Sequence, residues 1–369
     1  MLLEEIIGRI RRSPDGTIPF DEYMDLCLYF PRFGYYAGDI VRTGKDGDFY
    51  TSAHIGGFMG KMLARYIARR SAASCSGSDR FLLAEWGGGA GEMAVQVLDE
   101  LRNTFPDVYE RLDFLSVETS PAHRRRQERR LSGHAGKTAW IDGDEWERAA
   151  ARYDRAVVWS NELLDAFPVK RAVYESGGWR EIRVGWNGRN ERLEERRLPL
   201  RDAALAAYLE QKPVEWQEGQ QVEVNFRAME WIRRMAASLP AAATLITIDY
   251  GDEDAELFAP HRLFGTLRGY RRHTVTDDPF ATPGEQDLTA HVNFSDLIAC
   301  GREAGFDGHR LVTQQQFLVE AGILEELREH RSADPFHPDA RANRMIRQLL
   351  LSDHMSELFK VLIQWKGGQ

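Results

Sequence analysis

The 369-residue sequence predicts a doubly wound, Rossmann-like α/β fold with an N-terminal helical cap and an inserted β-hairpin with helices. Three observations lead there. From Phe81 onward, short apolar runs alternate with longer amphipathic ones, the rhythm of a parallel sheet covered by helices on both faces. The first of these runs, FLLAEW, opens directly into the glycine-rich turn Gly87-Gly88-Gly89-Ala90-Gly91, at a place where such sheets bind ligands. The rhythm breaks at 169–186, where two β-type segments flank Ser176-Gly177-Gly178 as the arms of a hairpin.

Taken in order, residues 1–75 form the cap and lid segment. An amphipathic helix over 1–12 carries Glu4 and Glu5 ahead of Arg9, Arg11 and Arg12, and a second helix over 20–30 ends at Pro31 and Gly34. A loop punctuated by Gly38, Gly44 and Gly47 leads to a helix over 56–70 and a Ser/Ala/Gly linker over 71–78. Residues 76–168 are the first part of the core. It comprises the strand FLLAEW, a helix over 93–101, the strand DFLSVE, a helix from Pro121, a third strand position ending near Ile141, and a strand over 156–159. Residues 169–240 are the insertion: hairpin arms 169–174 and 179–186, a charged run over 189–201, and helices over 202–211 and 226–239. Residues 241–369 resume the core with the strand TLITIDYG, a helix over 294–304 and closing segments over 305–322 and 341–365.

Composition sets bounds on function. With 57 acidic against 48 basic side chains, the net charge of −9 argues against nonspecific nucleic-acid binding and favours a neutral or cationic partner. The apolar runs are too short to span a bilayer, so no membrane insertion is expected. Cys27, Cys75 and Cys300 are scattered, which suggests neither a disulfide framework nor a zinc site, and no histidine pair has metal-ligand spacing. The N-terminus lacks the apolar core of an export signal, and a cytoplasmic location follows as the expectation.

The turn after the first strand reads Glu85-x-Gly87-x-Gly89-x-Gly91, and Glu92 stands where a dinucleotide fingerprint would place its last glycine. A pyrophosphate site is therefore disfavoured. Glycines here permit positive φ and let a ligand lie against bare backbone, although a purely structural turn has the same composition. The second strand ends in Val117-Glu118, where a carboxylate can accept from both ribose hydroxyls of a nucleoside, or simply lead the next helix. After the third strand, Trp140 and Asp142 offer an aromatic face and an acceptor for an adenine amine, while Asp142, Asp144 and Glu145 could equally start a helix.

The fourth strand runs into Asn161-Glu162-Leu163-Leu164-Asp165, at the sheet edge where α/β chemistry gathers. Paired carboxylates suit a guanidinium acceptor beside a sulfonium methyl donor such as S-adenosylmethionine. They offset the repulsion between two cations and orient a nitrogen for in-line attack. Acidic capping of a helix start is the other reading of Glu162 and Asp165. Asp249-Tyr250 closes a further strand, and His291 is a proton-relay candidate in a position where a structural histidine is common.

These residues together resemble the MidA-like (DUF185) methyltransferases. The matching stretches are FDEYM, PRFGYY, GDFYTS, the E-x-G-x-G-x-G turn, VETSP, NELLDAFPV, IDYG, GTLRGY, DLTAHVNF and TQQQFL, in order over most of the chain. The resemblance implies a class I methyltransferase fold, S-adenosyl-L-methionine as donor, and symmetric dimethylation of a protein arginine in the mitochondrial member, a complex I assembly factor. It implies that Gly87, Gly89, Gly91 and Glu118 bind the cofactor, that Thr51 and Ser52 close over it, and that Asn161, Glu162 and Asp165 border the acceptor. The expected partner is a protein carrying a target arginine, of the respiratory-complex kind. After Ser52 the chain reads AHIGG where relatives read closer to PEISP, so the lid or substrate entrance differs. Two rival functions are methylation of a small molecule at the same site and a non-catalytic assembly factor with a residual pocket.

Overall fold

The computed structural model describes residues 1–38, 57–73, 80–271, 274–329, 334, 337–351 and 358–367. The chain divides into two compact units. The expected serial breaks at 75, 168 and 240 give way to interleaving: Met1–Arg42, Leu164–Ile232 and Gly251–Cys300 form one unit, and Thr43–Leu163, Arg233–Tyr250 and Gly301–Gln369 the other.

The second of these contains the predicted sheet. Its seven principal strands are β1 (Phe81–Trp86), β2 (Leu112–Val117), β3 (Thr138–Ile141), β4 (Arg155–Asn161), β5 (Ala242–Asp252), β6 (Gly308–Thr313) and β7 (Phe359–Lys366). They lie in the order β6-β7-β5-β4-β1-β2-β3. Strands β1 to β5 pair in parallel, and β7 pairs antiparallel with both β5 and β6. The run 3-2-1-4-5 is the doubly wound order, with an extra reversed strand wedged before the last. All six residues of β1 are buried, the pattern of a parallel strand covered on both faces. The helices Phe58–Ala73 and Glu92–Thr104 share its core, through Met59, Met62, Leu63 and Ile67 on one and Val97, Leu98 and Leu101 on the other. Each such side chain contributes about 1.5–3 kcal/mol on burial.

In the other unit, the helices Leu2–Arg12 and Phe20–Tyr29 pack Ile6, Ile10, Phe20, Tyr23 and Met24 into a core shared with Val184 and Leu193 of the insertion. A five-stranded antiparallel sheet joins Thr17–Pro19, Lys170–Glu175, Gly178–Asn187, Arg192–Pro199 and Gln221–Val224. The expected hairpin is present, with Glu175 opposite Gly178. Ser176 and Gly177 both adopt positive φ, 54° and 74°, as a two-residue turn that follows strand twist requires. The charged run expected at 189–201 is largely a strand. Its charges pair across the sheet, Arg197 with Glu175 and Glu195 with Arg171, while Leu193 supplies the buried face. Among the described residues, no helix is long and apolar enough to cross a membrane.

Candidate cofactor and acceptor site

The strand order changes direction between β1 and β4, because connections from β1 run outward to β2 and β3 on one side and to β4 and β5 on the other. At such a switch point the carboxyl ends of adjacent strands diverge and leave a crevice. Two of the sequence candidates, the glycine turn after β1 and Asn161-Glu162 at the end of β4, stand at its rims.

The turn has the predicted backbone. Gly87, Gly89 and Gly91 take φ of 65°, 52° and 79°, and Gly91 serves as the left-handed N-cap of the helix Glu92–Thr104. The Gly87 amide donates to Val117 O at 3.0 Å and the Gly91 amide to Gly88 O at 2.8 Å. A Cβ at Gly88 would lie 2.3 Å from Glu85 Oε2, so the turn leaves no space there for a side chain. Glu85 is fully buried. Its Oε1 accepts from Trp159 Nε1 at 3.0 Å, while Oε2 takes no hydrogen bond among the described residues. Burial pushes the Glu85 carboxyl up to about 8, with the hydrogen bond from Trp159 opposing and the charge of Glu118 adding.

Glu118 follows β2 and is buried. Its Oε1 accepts from the Ser120 amide at 2.9 Å, and Oε2 lies 3.5 Å from His123 Nδ1. Ser120 in turn caps the helix Pro121–Arg130, whose Arg124 donates to Glu118 O and to Asp142 Oδ1 at 2.7 Å. Asp142 is exposed and forms a capping box with Glu145, so of its two readings the structure realises the helix start. Trp140 gives its indole N–H to Gln127 Oε1 at 2.8 Å. Sequence reasoning missed Gln127, which is fully buried and also donates through Nε2 to Gly89 O at 2.9 Å. Nothing in PAHRRRQERR marks this glutamine out from its charged neighbours.

At the end of β4, Glu162 has φ of 51°, in the left-handed region. Its amide donates to Ile248 O at 2.9 Å, and Asn161 Nδ2 donates to Glu162 Oε1 at 3.1 Å. A non-glycine residue held there costs of order 1–3 kcal/mol and marks a place worth functional scrutiny. Asn161 Oδ1 is buried and takes no hydrogen bond among the described residues. Asp249, on the neighbouring β5, is fully buried and accepts from the Tyr250 amide at 2.9 Å.

Asp165 and His291 belong to the other unit. Asp165 is buried, and its carbonyl accepts from the Ala290 amide at 3.0 Å. In the same unit Tyr36 donates to Asp287 Oδ2 at 2.8 Å and stacks on Tyr29 at 5.8 Å. Burial, then Arg262 and Arg268, pushes the His291 imidazole down to about 4, so it is neutral and weakly basic at neutral pH. Thr51, Ser52 and residues 53–56 of the altered 53–57 stretch lie outside the described residues.

The bare turn and the spare buried oxygen of Glu85 suit a ligand carrying a donor group, and Glu118 suits a ribose. Residues 62–312 match the family model of S-adenosyl-L-methionine-dependent methyltransferases, Methyltransf_28. The chain belongs to this family. A COG1565-superfamily protein of Burkholderia thailandensis, crystallised with S-adenosyl-homocysteine, is 30% identical with a TM-score of 0.86, the match covering 99% of this chain and 92% of that one. A native crystal structure from the same organism and superfamily is 32% identical with a TM-score of 0.84, over 99% and 91%. Among curated relatives, the mitochondrial protein arginine methyltransferase NDUFAF7 of Rattus norvegicus is 26% identical over 87% of this chain and 74% of its own length. The Drosophila melanogaster homolog is 26% identical over 76% of this chain, which spans 65% of that relative's length. The family's fold is the one described above, and its methyl donor is S-adenosyl-L-methionine.

Proposed function

We propose that this methyltransferase-family protein transfers a methyl group from S-adenosylmethionine to an arginine side chain of a partner protein. The observation that carries the reading is the strained Glu162 at the carboxyl end of β4, hydrogen-bonded to Asn161 and flanked on β5 by Asp249. A carboxylate here would hold a guanidinium by charge-assisted hydrogen bonds and offset its repulsion from the sulfonium. The similarity to arginine methyltransferases supports the same acceptor class.

In this reading Gly87, Gly89 and Gly91 would carry the cofactor, Glu118 would accept from its ribose hydroxyls, and Glu85 would accept from the ammonium of its amino-acid moiety. Asn161 and Glu162 would border the acceptor, with Asp249 as a further acidic group. His291 is too weak a base to carry the proton away unaided. The bound cofactor supplies an electrophilic methyl group, and these residues supply binding and orientation.

The test is methyl transfer from isotopically labelled donor into proteins of a strain deleted for this chain, read as methylarginine by mass spectrometry. Label should enter arginine with the wild type and fall at least about tenfold with Glu162→Gln, which removes charge and keeps shape. Label confined to small molecules, or equal labelling by the variant, would overturn the proposal.

A further inference from the structure

Gln127 ties the glycine turn to two neighbouring strands. Its Oε1 accepts from Ser116 Oγ on β2 at 2.6 Å and from Trp140 Nε1 on β3 at 2.8 Å, and its Nε2 donates to Gly89 O at 2.9 Å. An indole N–H can only donate and a backbone carbonyl can only accept, so the amide has one orientation that satisfies its partners. Its own aliphatic stem also seals the turn: a Cβ at Gly91 would lie 3.0 Å from Gln127 Cγ. In a trans peptide the C=O and the following N–H point in opposite directions. Holding the Gly89 carbonyl therefore fixes the whole Gly89–Ala90 peptide plane and turns the Ala90 N–H away from Gln127.

We infer that Gln127 is a positioning residue for the cofactor: its amide locks the Gly89–Ala90 peptide in the orientation that the bound nucleoside requires. This rests on the reading that the cofactor lies against the turn. Its amide holds the Gly89 carbonyl, so it sets affinity through the geometry of the turn.

The charge-making variant Gln127→Glu separates this role from simple filling of space. When protonated, its O–H can donate to Gly89 O as the amide does. When ionised, it sets a carboxylate oxygen against that carbonyl while still accepting from Ser116 and Trp140. The other charged groups are His123, Arg124, Arg125, Arg126, Glu128, Arg129 and Arg130 on its helix, Glu85 and Glu92 on either side of the turn, Glu118 after β2 and Asp142 after β3. They are common to wild type and variant, so the ratio of the two affinities isolates position 127.

Calorimetric titration of the full chain with S-adenosylhomocysteine at pH 5 to 9 provides the test, with cooperative melting as the check on folding. For Gln127→Glu, affinity should fall at least about tenfold below wild type at pH 9 and recover to within about threefold at pH 5. The isosteric apolar variant Gln127→Met should lose about tenfold at every pH, and it decides the matter alone if the glutamate variant does not fold. Wild-type affinity in a folded Gln127→Met, or a flat wild-type profile in a folded Gln127→Glu, would overturn the inference. A Gly88→Val control separates the two layers. If it binds like wild type, the cofactor is not on the turn and the underlying reading falls; if it fails to bind while both Gln127 variants bind normally, only the role of Gln127 falls.

Discussion

Replacing Glu85 by glutamine should stabilise the ligand-free protein at high pH and do little at low pH. Glu85 is fully buried, Trp159 provides its one hydrogen bond among the described residues, and its carboxyl is pushed from 4.5 up to about 8. A raised acid binds more protons folded than unfolded between those two values, so folding loses stability as pH rises through them and the loss is complete above about pH 8. The interval corresponds to a ceiling of about 5 kcal/mol, and relaxation around a buried charge brings the expected effect to about 2–4 kcal/mol. The assay is urea unfolding of wild type and Glu85→Gln at pH 5, 7 and 9. The stability difference in favour of the variant should grow by that amount from pH 5 to pH 9, with an unchanged dependence on urea. A difference that stays constant within about 0.5 kcal/mol would mean that Glu85 is ionised throughout, and the account of its burial would be wrong. The same logic predicts that a cofactor ammonium against Oε2 ionises Glu85, so binding at pH 7 releases protons and the measured heat varies with the buffer's ionisation enthalpy.

Two further outcomes follow from the geometry. Glu118→Ala should weaken S-adenosylhomocysteine binding by about 1.5–3 kcal/mol, the worth of hydrogen bonds to a charged acceptor; an unchanged Kd by calorimetry would remove Glu118 from the ribose site. Glu162→Gly should relieve the left-handed backbone and raise unfolding stability by about 1 kcal/mol while eliminating methyl transfer, and a stability loss would show that the Glu162 side chain supports the fold more than the strain costs.

The sheet was legible because its signals are local. FLLAEW and DFLSVE are continuous apolar runs bounded by turn residues, and Gly87, Gly89 and Gly91 announce their backbone requirement through residue type. The hairpin was legible for the same reason, since Ser176, Gly177 and Gly178 are turn residues between two β-type segments. Arg192–Pro199 was harder to read because its strand character comes from antiparallel pairing with Gly178–Asn187 and from the ion pair of Arg197 with Glu175, which a single segment does not display. The interleaved units were hidden in the same way: Val184 and Leu193 share a core with Ile6 and Phe20 at the far end of the chain. Within the site, residue types at strand ends pointed to Glu85, Glu118 and Glu162, but the left-handed backbone of Glu162 has no sequence signature. Gln127 was invisible because its importance lies in three hydrogen bonds to residues distant in sequence. Asp142 satisfied two readings by composition, and only the capping box with Glu145 separates them.

The most direct test of the account is a crystal structure of this chain grown with S-adenosylhomocysteine. The ligand should lie along the backbone of residues 87–91, with both ribose hydroxyls within hydrogen-bond distance of the Glu118 carboxylate and its ammonium against Glu85. Density for the ligand away from that turn, or a ribose that Glu118 does not touch, would contradict it.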